Sequence, residues 1–214
     1  MDLMLNDHET RVLGCLMEKS MATPEYYPLS INALTNACNQ KSNRDPVVDW
    51  SEDAVRAAVD MLADKGLVNL STAGRVPKVE ETFTGRHNMV ASEAAVLCVL
   101  LLRGPQTPGA IRSRSDRLYT FDGLEALQET LDQLSEWGFV RRMARLPGHK
   151  ESRYMHLLGD PSAGEAQDSP AADDAPPASA RADRLEVLEA QIRSISDELA
   201  DLRSAFESFR QQFE

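Results

Sequence analysis

The chain is poor in the residues that most often carry chemistry. Its three cysteines, Cys15, Cys38 and Cys98, stand singly inside apolar stretches. None forms the C-x-x-C pair of a zinc or redox site, so buried free thiols are expected and a disulfide framework is argued against. The four histidines, His8, His87, His149 and His156, are scattered. No H-E-x-x-H, nucleophile elbow or glycine-rich phosphate loop is present, so the chain reads as non-enzymatic, with no cofactor and no metal. The longest apolar run, Ala94 to Leu102, is nine residues, far below the ~20 needed to span a bilayer. No secretory signal opens the chain, and a cytoplasmic protein is expected. Aromatic residues make up only 6% of the sequence. Tyr26, Tyr27 and Tyr154 are not interleaved with a basic run, which favours packing groups over stacking platforms for bases.

A surplus of positive charge is also missing. The net charge is −11, yet it is unevenly spread: residues 1–88 carry −4, residues 89–160 carry 0 and residues 161–214 carry −7. The acidity belongs mainly to the tail, so the whole-chain value says little about what a folded domain could meet.

What the sequence does contain is an internal repeat. Asp60-Met61-Leu62-Ala63-Asp64-Lys65-Gly66-Leu67-Val68 returns 72 residues later as Asp132-Gln133-Leu134-Ser135-Glu136-Trp137-Gly138-Phe139-Val140. Glu9-Thr10-Arg11-Val12-Leu13-Gly14-Cys15-Leu16 returns 84 residues later as Glu93-Ala94-Ala95-Val96-Leu97-Cys98-Val99-Leu100, and Thr23-Pro24 as Thr107-Pro108. Two copies of so long a unit indicate two small similar domains rather than a solenoid.

Each copy predicts three helices and a hairpin. In the first, a helix over about Asp7 to Ser20 places Val12, Leu13, Leu16 and Met17 together. Ser30 caps a second helix with Ile31, Leu34 and Cys38 on one face, and Ser51 caps a third carrying Val55, Val59 and Leu62. Gly66 stops it in the left-handed position. Strands over Leu67 to Leu70 and Val76 to Phe83 follow. The second copy predicts helices from Ser92 to Arg103, from Thr107-Pro108 onward, and from a capping box at Asp122 to Glu125 with Leu124, Leu127, Leu131 and Leu134 inward. Gly138 ends the last helix, and strands follow over Phe139 to Leu146 and Ser152 to Leu158. Three helices and a β hairpin form the winged-helix plan.

Past Asp160 the composition changes. Residues 161–182 hold Pro, Ala, Ser, Asp and Gly without a large apolar side chain and read as a flexible linker. Leu185, Leu188, Ile192, Ile195, Leu199, Leu202, Phe206, Phe209 and Phe213 then alternate at spacings of three and four, an a/d heptad register. Arg184 with Glu189, and Glu198 with Arg203, fall at g and e positions that would attract across a parallel homodimer. The competing reading is an amphipathic helix that folds back on its own domains.

A winged helix raises nucleic acid as a partner, and its third helix normally enters the major groove. Here the outward positions of that helix are mainly acidic: Asp53, Arg56, Asp60 and Asp64 in the first copy, and in the second they include Glu125, Glu129, Asp132 and Glu136. The acids would repel phosphate. The basic candidates lie elsewhere in the second copy: Arg112, Arg114 and Arg117 on and after its second helix, and Arg141, Arg142, Arg145, Lys150 and Arg153 on its hairpin. A secondary candidate is the polar connection with Asn39, Gln40, Lys41, Asn43 and Arg44. The competing reading is that these arginines solvate a surface or pair with acids, and that the connection satisfies turns and caps.

Tyr27-Pro28-Leu29-Ser30-Ile31-Asn32-Ala33-Leu34, Ala37-Cys38-Asn39-Gln40-Lys41-Ser42-Asn43-Arg44-Asp45-Pro46, Leu100-Leu101-Leu102-Arg103-Gly104-Pro105-Gln106-Thr107-Pro108-Gly109 and Arg153-Tyr154-Met155-His156-Leu157-Leu158 resemble the YceH-like family of uncharacterised bacterial proteins. The resemblance covers about residues 6–158 and implies tandem winged-helix domains, often with a C-terminal coiled coil, but no activity. The chain departs from the expected Lys-Tyr-x-His pattern of the first hairpin, with Lys78-Val79-Glu80-Glu81. The expected architecture is therefore mainly α with small β wings (α+β): winged-helix domains at 1–88 and 89–160, a linker at 161–182 and a coiled-coil helix at 183–214. The expected function is a DNA-associated regulatory or chromosome-associated factor acting as a homodimer. The alternative is an adaptor that binds protein rather than double-stranded DNA.

Overall fold

A computed structural model describes residues 4–71, 76–145 and 151–159. The 161–182 linker and the heptad segment, with every seam residue from Leu185 to Phe213, lie outside the described residues, as does Lys150. All described residues belong to one compact unit of α+β structure, with seven helices and small antiparallel sheets among them. No helix among them is long and apolar enough to cross a membrane.

The repeat is visible first in how its helices begin. Helix α1, Asp7–Ala22, opens with a reciprocal cap: Asn6 Oδ1 accepts from the Glu9 amide at 2.9 Å, and the Glu9 carboxylate accepts from the Asn6 amide at 2.8 Å. Helix α5, Ala91–Arg103, uses Glu93 in the same way, its carboxylate accepting from the Val90 amide at 2.9 Å. Both glutamates are buried. A buried carboxylate needs such donors, and a helix N-terminus supplies them together with its dipole. That explains why the glutamate recurs at the head of both copies.

Helix α2, Ile31–Cys38, is capped by Ser30, and α3, Glu52–Asp64, by Ser51. In the second copy, α6, Pro108–Ser115, is capped by Thr107, whose hydroxyl accepts from the Ala110 amide at 3.3 Å. Helix α7, Leu124–Glu136, departs from expectation: its N-cap is Gly123 in extended backbone, no side chain caps it, and the Asp122 to Glu125 box is not formed. Phe121, just upstream, is buried at 3% exposure while Asp122 faces solvent. Anchoring that ring moves the helix start one residue past the expected cap. Leu124 is accordingly 53% exposed, and the inward stripe runs through Leu127, Leu131 and Leu134 only. Gly66 and Gly138, with φ of 66° and 77°, take the left-handed conformation after α3 and α7, a position where glycine avoids the Cβ penalty.

In the first copy, β2, Val68–Ser71, pairs with β3, Lys78–Glu81, and β3 also pairs with the two-residue β1, Leu29–Ser30, in the order β1-β3-β2. In the second, β4, Val140–Arg142, pairs with β5, Tyr154–His156, and Gln106 makes an antiparallel bridge to Tyr154, taking the place β1 has in the first copy. The strands β3, β4 and β5 are shorter than the expected segments Val76 to Phe83, Phe139 to Leu146 and Ser152 to Leu158. Phe83 does not end β3 but opens a separate turn of helix, α4, Phe83–Arg86. It is fully buried, and the Glu81 carboxylate accepts from the Thr84 amide at 2.9 Å, which closes the strand into that turn.

The two copies share one apolar core. Helices α1 and α5 cross at Gly14, where a Cβ would lie 2.9 Å from Leu102 Cδ2 and 3.1 Å from Leu101 Cβ. The Cys98 thiol lies 3.5 Å from the Gly14 carbonyl. Gly14 and Cys98 are equivalent positions of the repeat, 84 residues apart. Equivalent residues meeting at a crossing is what a two-fold relation between copies requires. The ends are tied as well: the Leu5 amide donates to the Leu158 carbonyl at 2.7 Å, and Phe139 packs edge-on against Phe83 at 5.6 Å.

Candidate nucleic-acid interface

The basic candidates do not form one face. On helix α6 the 100° step per residue sends Arg112 one way and Arg114 another, and Arg117 follows two residues past the helix end. Arg112 is exposed beside a shallow groove lined with Gly109, Ser113, Asp116 and Phe121. Arg114 and Arg117 instead turn toward the first copy, where with Arg103 and Asn43 they line a small recess over Glu18. Burial and the neighbouring Arg103 guanidinium both lower the Arg114 pKa, with Asp45 partly offsetting them. Like charges have been brought together there.

Glu18 offsets part of that charge but is itself held by Arg44. Arg44, 4% exposed, donates to Glu18 through Nη1 at 3.2 Å and Nη2 at 2.6 Å. Its Nε donates to the Ala37 carbonyl at 3.0 Å, its Nη1 also to the Asn43 carbonyl at 2.9 Å, and its Nη2 also to Gln40 Oε1 at 3.0 Å. Those five bonds use all five N–H donors of the guanidinium. Burial alone would push the Glu18 carboxyl up, but the hydrogen bonds and charge of Arg44 outweigh it and hold the pKa below the usual carboxylate range.

This reassigns the connection between α2 and α3. Arg44 is turned inward with no donor left for phosphate, and Gln40 is one of its acceptors. Asn39 bonds both ways with the Trp50 backbone, its Nδ2 donating to the carbonyl at 2.8 Å and its Oδ1 accepting from the amide at 2.9 Å. Asn43 takes a left-handed conformation, φ 57°, and its Oδ1 accepts from Arg103 Nη1 at 3.4 Å. Of the five residues of this candidate, Lys41 remains exposed and Asn43 borders the recess.

The hairpin set divides too. Arg141 and Arg142 are successive residues of β4 and point to opposite sides of the sheet. Arg141 is register-paired with Met155 and lies against it, Nη2 to Sδ at 3.4 Å, whereas Arg142 is paired with Tyr154. Arg145 is exposed beyond the strand, and Arg153 is half-buried just before β5. Tyr154 is a packing group as expected, 3% exposed with its hydroxyl accepting from Gln128 Nε2 at 3.0 Å. Tyr27 also acts structurally, its hydroxyl accepting from the Glu81 amide. Tyr26 departs from the packing expectation at 72% exposure, on a single 3-10 turn whose residues are not buried.

The acids of the third helices face outward in both copies: Asp53, Asp60 and Asp64 on α3, and Glu125, Glu129, Asp132 and Glu136 on α7, are all exposed. Arg103 is the member of the basic set that sequence reasoning missed. The repeat held the signal, because Arg103 falls 84 residues after Lys19, each in the last turn of the first helix of its copy. All three cysteines are free and buried, and no cluster of histidine, cysteine and carboxylate able to hold a metal occurs among the described residues.

Comparison with known proteins places the chain. The model of the family described as "Protein of unknown function, DUF480" matches residues 5–149. The chain belongs to that family. A UPF0502 protein of Solibacter usitatus is 47% identical over 215 residues, covering the whole of both chains. A UPF0502 protein of Koribacter versatilis is 53% identical over 161 residues, 74% of this chain and 75% of its own. One of Geobacter sulfurreducens is 45% identical over the whole of both. Family membership thus spans both copies of the repeat, the recess between them and the Glu18–Arg44 pair. It brings no activity with it.

Proposed function

We propose that this is a non-enzymatic tandem winged-helix protein that associates with double-stranded DNA through phosphate contacts, in a regulatory or chromosome-associated role. The order of three helices and a hairpin in each copy, with β1 in the first and the Gln106 bridge in the second between the first two helices, supports the winged-helix reading. The observation that carries the DNA reading is the recess between the copies: Arg103, Arg114 and Arg117 converge there beside a glutamate that Arg44 has already neutralised. The exposed Arg142 and Arg145 add positive charge on the hairpin of the second copy, while Arg112 faces away from the recess. Binding of this kind leaves the acidic third helices facing solvent rather than in the major groove. It is therefore a grip on the backbone, which positions a protein without reading sequence. Dimerisation through the heptads would place two such grips on one duplex, raising the effective affinity by multivalency.

The exposed acids favour a second reading, an adaptor that docks α3 or α7 on a basic protein partner. Leu124 and Trp137, 53% and 45% exposed at the two ends of α7, would supply apolar contacts to such a partner. Titration of random duplex DNA against salt separates the two. Phosphate contacts give a log-log slope that becomes shallower by roughly 0.9 for each contact removed. An adaptor shows no binding to lose.

A further inference from the structure

A second cavity, lined by none of the residues of the basic recess, is chemically unlike it. The cleft holds about 350 Å³ and is walled by the first turns of α1, the loop before α3, the turn after α5 and strand β5, so both copies contribute. Its polar lining includes Asp7, Thr10, Arg11, Asp45 and His156, and the Trp50 ring forms an apolar wall with His8 stacked on it at 4.1 Å.

Arg11 is the anomaly. It is 5% exposed, and its Nη2 donates to the Pro46 carbonyl at 2.6 Å. Its Nη1 is buried without an acceptor, and no carboxylate lies within 4.0 Å of it among the described residues. Burial lowers its pKa, but a guanidinium stays protonated in proteins. A buried cation without a counter-ion is costly, and folds retain one where something pairs with it. The Nδ1 of His156 is a second buried nitrogen on the same cleft with no partner among the described residues. The contrast with Arg44 is sharp: one buried guanidinium has every donor used, while the other keeps a donor at a cavity.

We propose that this cleft binds a small zwitterion of the amino-acid class, its carboxylate on Arg11 Nη1 and its ammonium facing Asp7 and Asp45. A bare anion such as phosphate fits less well, because two carboxylates at the same opening repel it. A zwitterion satisfies both signs. His156 supplies a further polar contact, and Trp50, Leu101 and Met155 give its side chain an apolar surface. The volume is at the small end of metabolite pockets. Because both copies wall the cleft, a bound ligand braces one against the other. The proposal stands apart from the DNA reading, since none of its residues lies in the basic recess.

The test uses the full chain, with each of the proteinogenic amino acids as probe at millimolar concentration and acetate and inorganic phosphate as controls. Thermal unfolding and titration calorimetry read binding, and the ring nitrogen resonances of His156 locate it. At least one amino acid should raise the unfolding temperature and move the His156 signals, more strongly than either control. Asp7→Asn, an exposed change that leaves the core untouched, should weaken binding by about 10-fold or more, as expected for loss of a charge-assisted hydrogen bond. Arg11→Lys should do the same. If Arg11→Lys fails to fold, Asp7→Asn and the His156 resonances decide. The proposal is overturned if no amino acid binds, if acetate or phosphate binds as well, if Asp7→Asn leaves the affinity unchanged, or if the His156 signals do not move.

Discussion

Replacing Arg44 with methionine tests whether the Glu18–Arg44 pair is the structural hub of the connection between the copies. The substitution keeps much of the side-chain volume but removes five hydrogen bonds and leaves the Glu18 carboxylate, 8% exposed, with Lys19 at 3.6 Å in place of its bidentate partner. Removing one partner of a buried pair costs about 3–5 kcal/mol. At roughly 2–4 °C per kcal/mol for a chain of this size, unfolding should fall by about 6–20 °C. Arg44→Lys should recover only part of this, since an ammonium offers three donors and no planar fork. The double variant Glu18→Leu with Arg44→Met should lie close to the native protein, because no buried charge is left unpaired. The pair also has a pH signature. The folded Glu18 pKa is depressed, so its contribution is complete above the unfolded carboxylate value near 4.3 and is lost as pH falls through the folded one. Urea unfolding of the native protein, Glu18→Leu, Arg44→Met and the double variant, at neutral pH and across that acid range, provides the cycle. A loss below about 1 kcal/mol for Arg44→Met would place the pair among ordinary surface salt bridges and refute the assignment.

Gly14→Val should destabilise by about 1–3 kcal/mol, because the added atoms meet Leu102 and Leu101 at the helix crossing where the backbones approach most closely; thermal unfolding measures it, and an unchanged midpoint would mean that the crossing yields freely. His156 should titrate in the folded protein at about 4, since burial disfavours its charged form and Asp7 only partly offsets this. Its contribution to stability is complete above the unfolded value near 6.5 and is lost as pH falls from there toward 4, at a slope of up to about 1.4 kcal/mol per pH unit. Ring resonances followed from neutral to acid pH give the midpoint, and one near 6.5 would contradict the burial. A chain ending near Asp160 should sediment as a monomer if Leu185 to Phe213 form the dimer seam, and an unchanged oligomeric state would remove that role.

The sequence made the scaffold legible because the scaffold rests on local rules. Serine and threonine caps, glycine stops and apolar stripes act within a few residues, and the repeat wrote most of them twice. The failures are places where a distant contact overrode a local signal. Asp122 has the spacing of a capping residue, but burial of Phe121 moved the helix start past it. Phe83 closes the expected strand Val76 to Phe83, yet it left the strand to fill the core against Phe139. The candidate site was less legible for the same reason. Arg44 and Arg114 look alike as letters in polar surroundings, but one is consumed by Glu18, 26 residues away, and the other faces the recess. Arg103 joined the set through Asn43, 60 residues away. Nothing local announces a pairing across two copies of a fold, although the 84-residue offset placing Arg103 over Lys19 was a usable hint.

The most direct test of the proposed DNA association is the salt dependence of binding by the full chain to random duplex, repeated with Arg114→Glu and Arg117→Glu together. Five contacts from Arg103, Arg114, Arg117, Arg142 and Arg145 should give a log-log slope of about −4 to −5, and the double reversal should make it shallower by roughly 2 while weakening binding uniformly across sequences. Absence of binding at low salt, or a slope untouched by the reversal, would contradict a phosphate grip at the recess and leave the adaptor reading in its place.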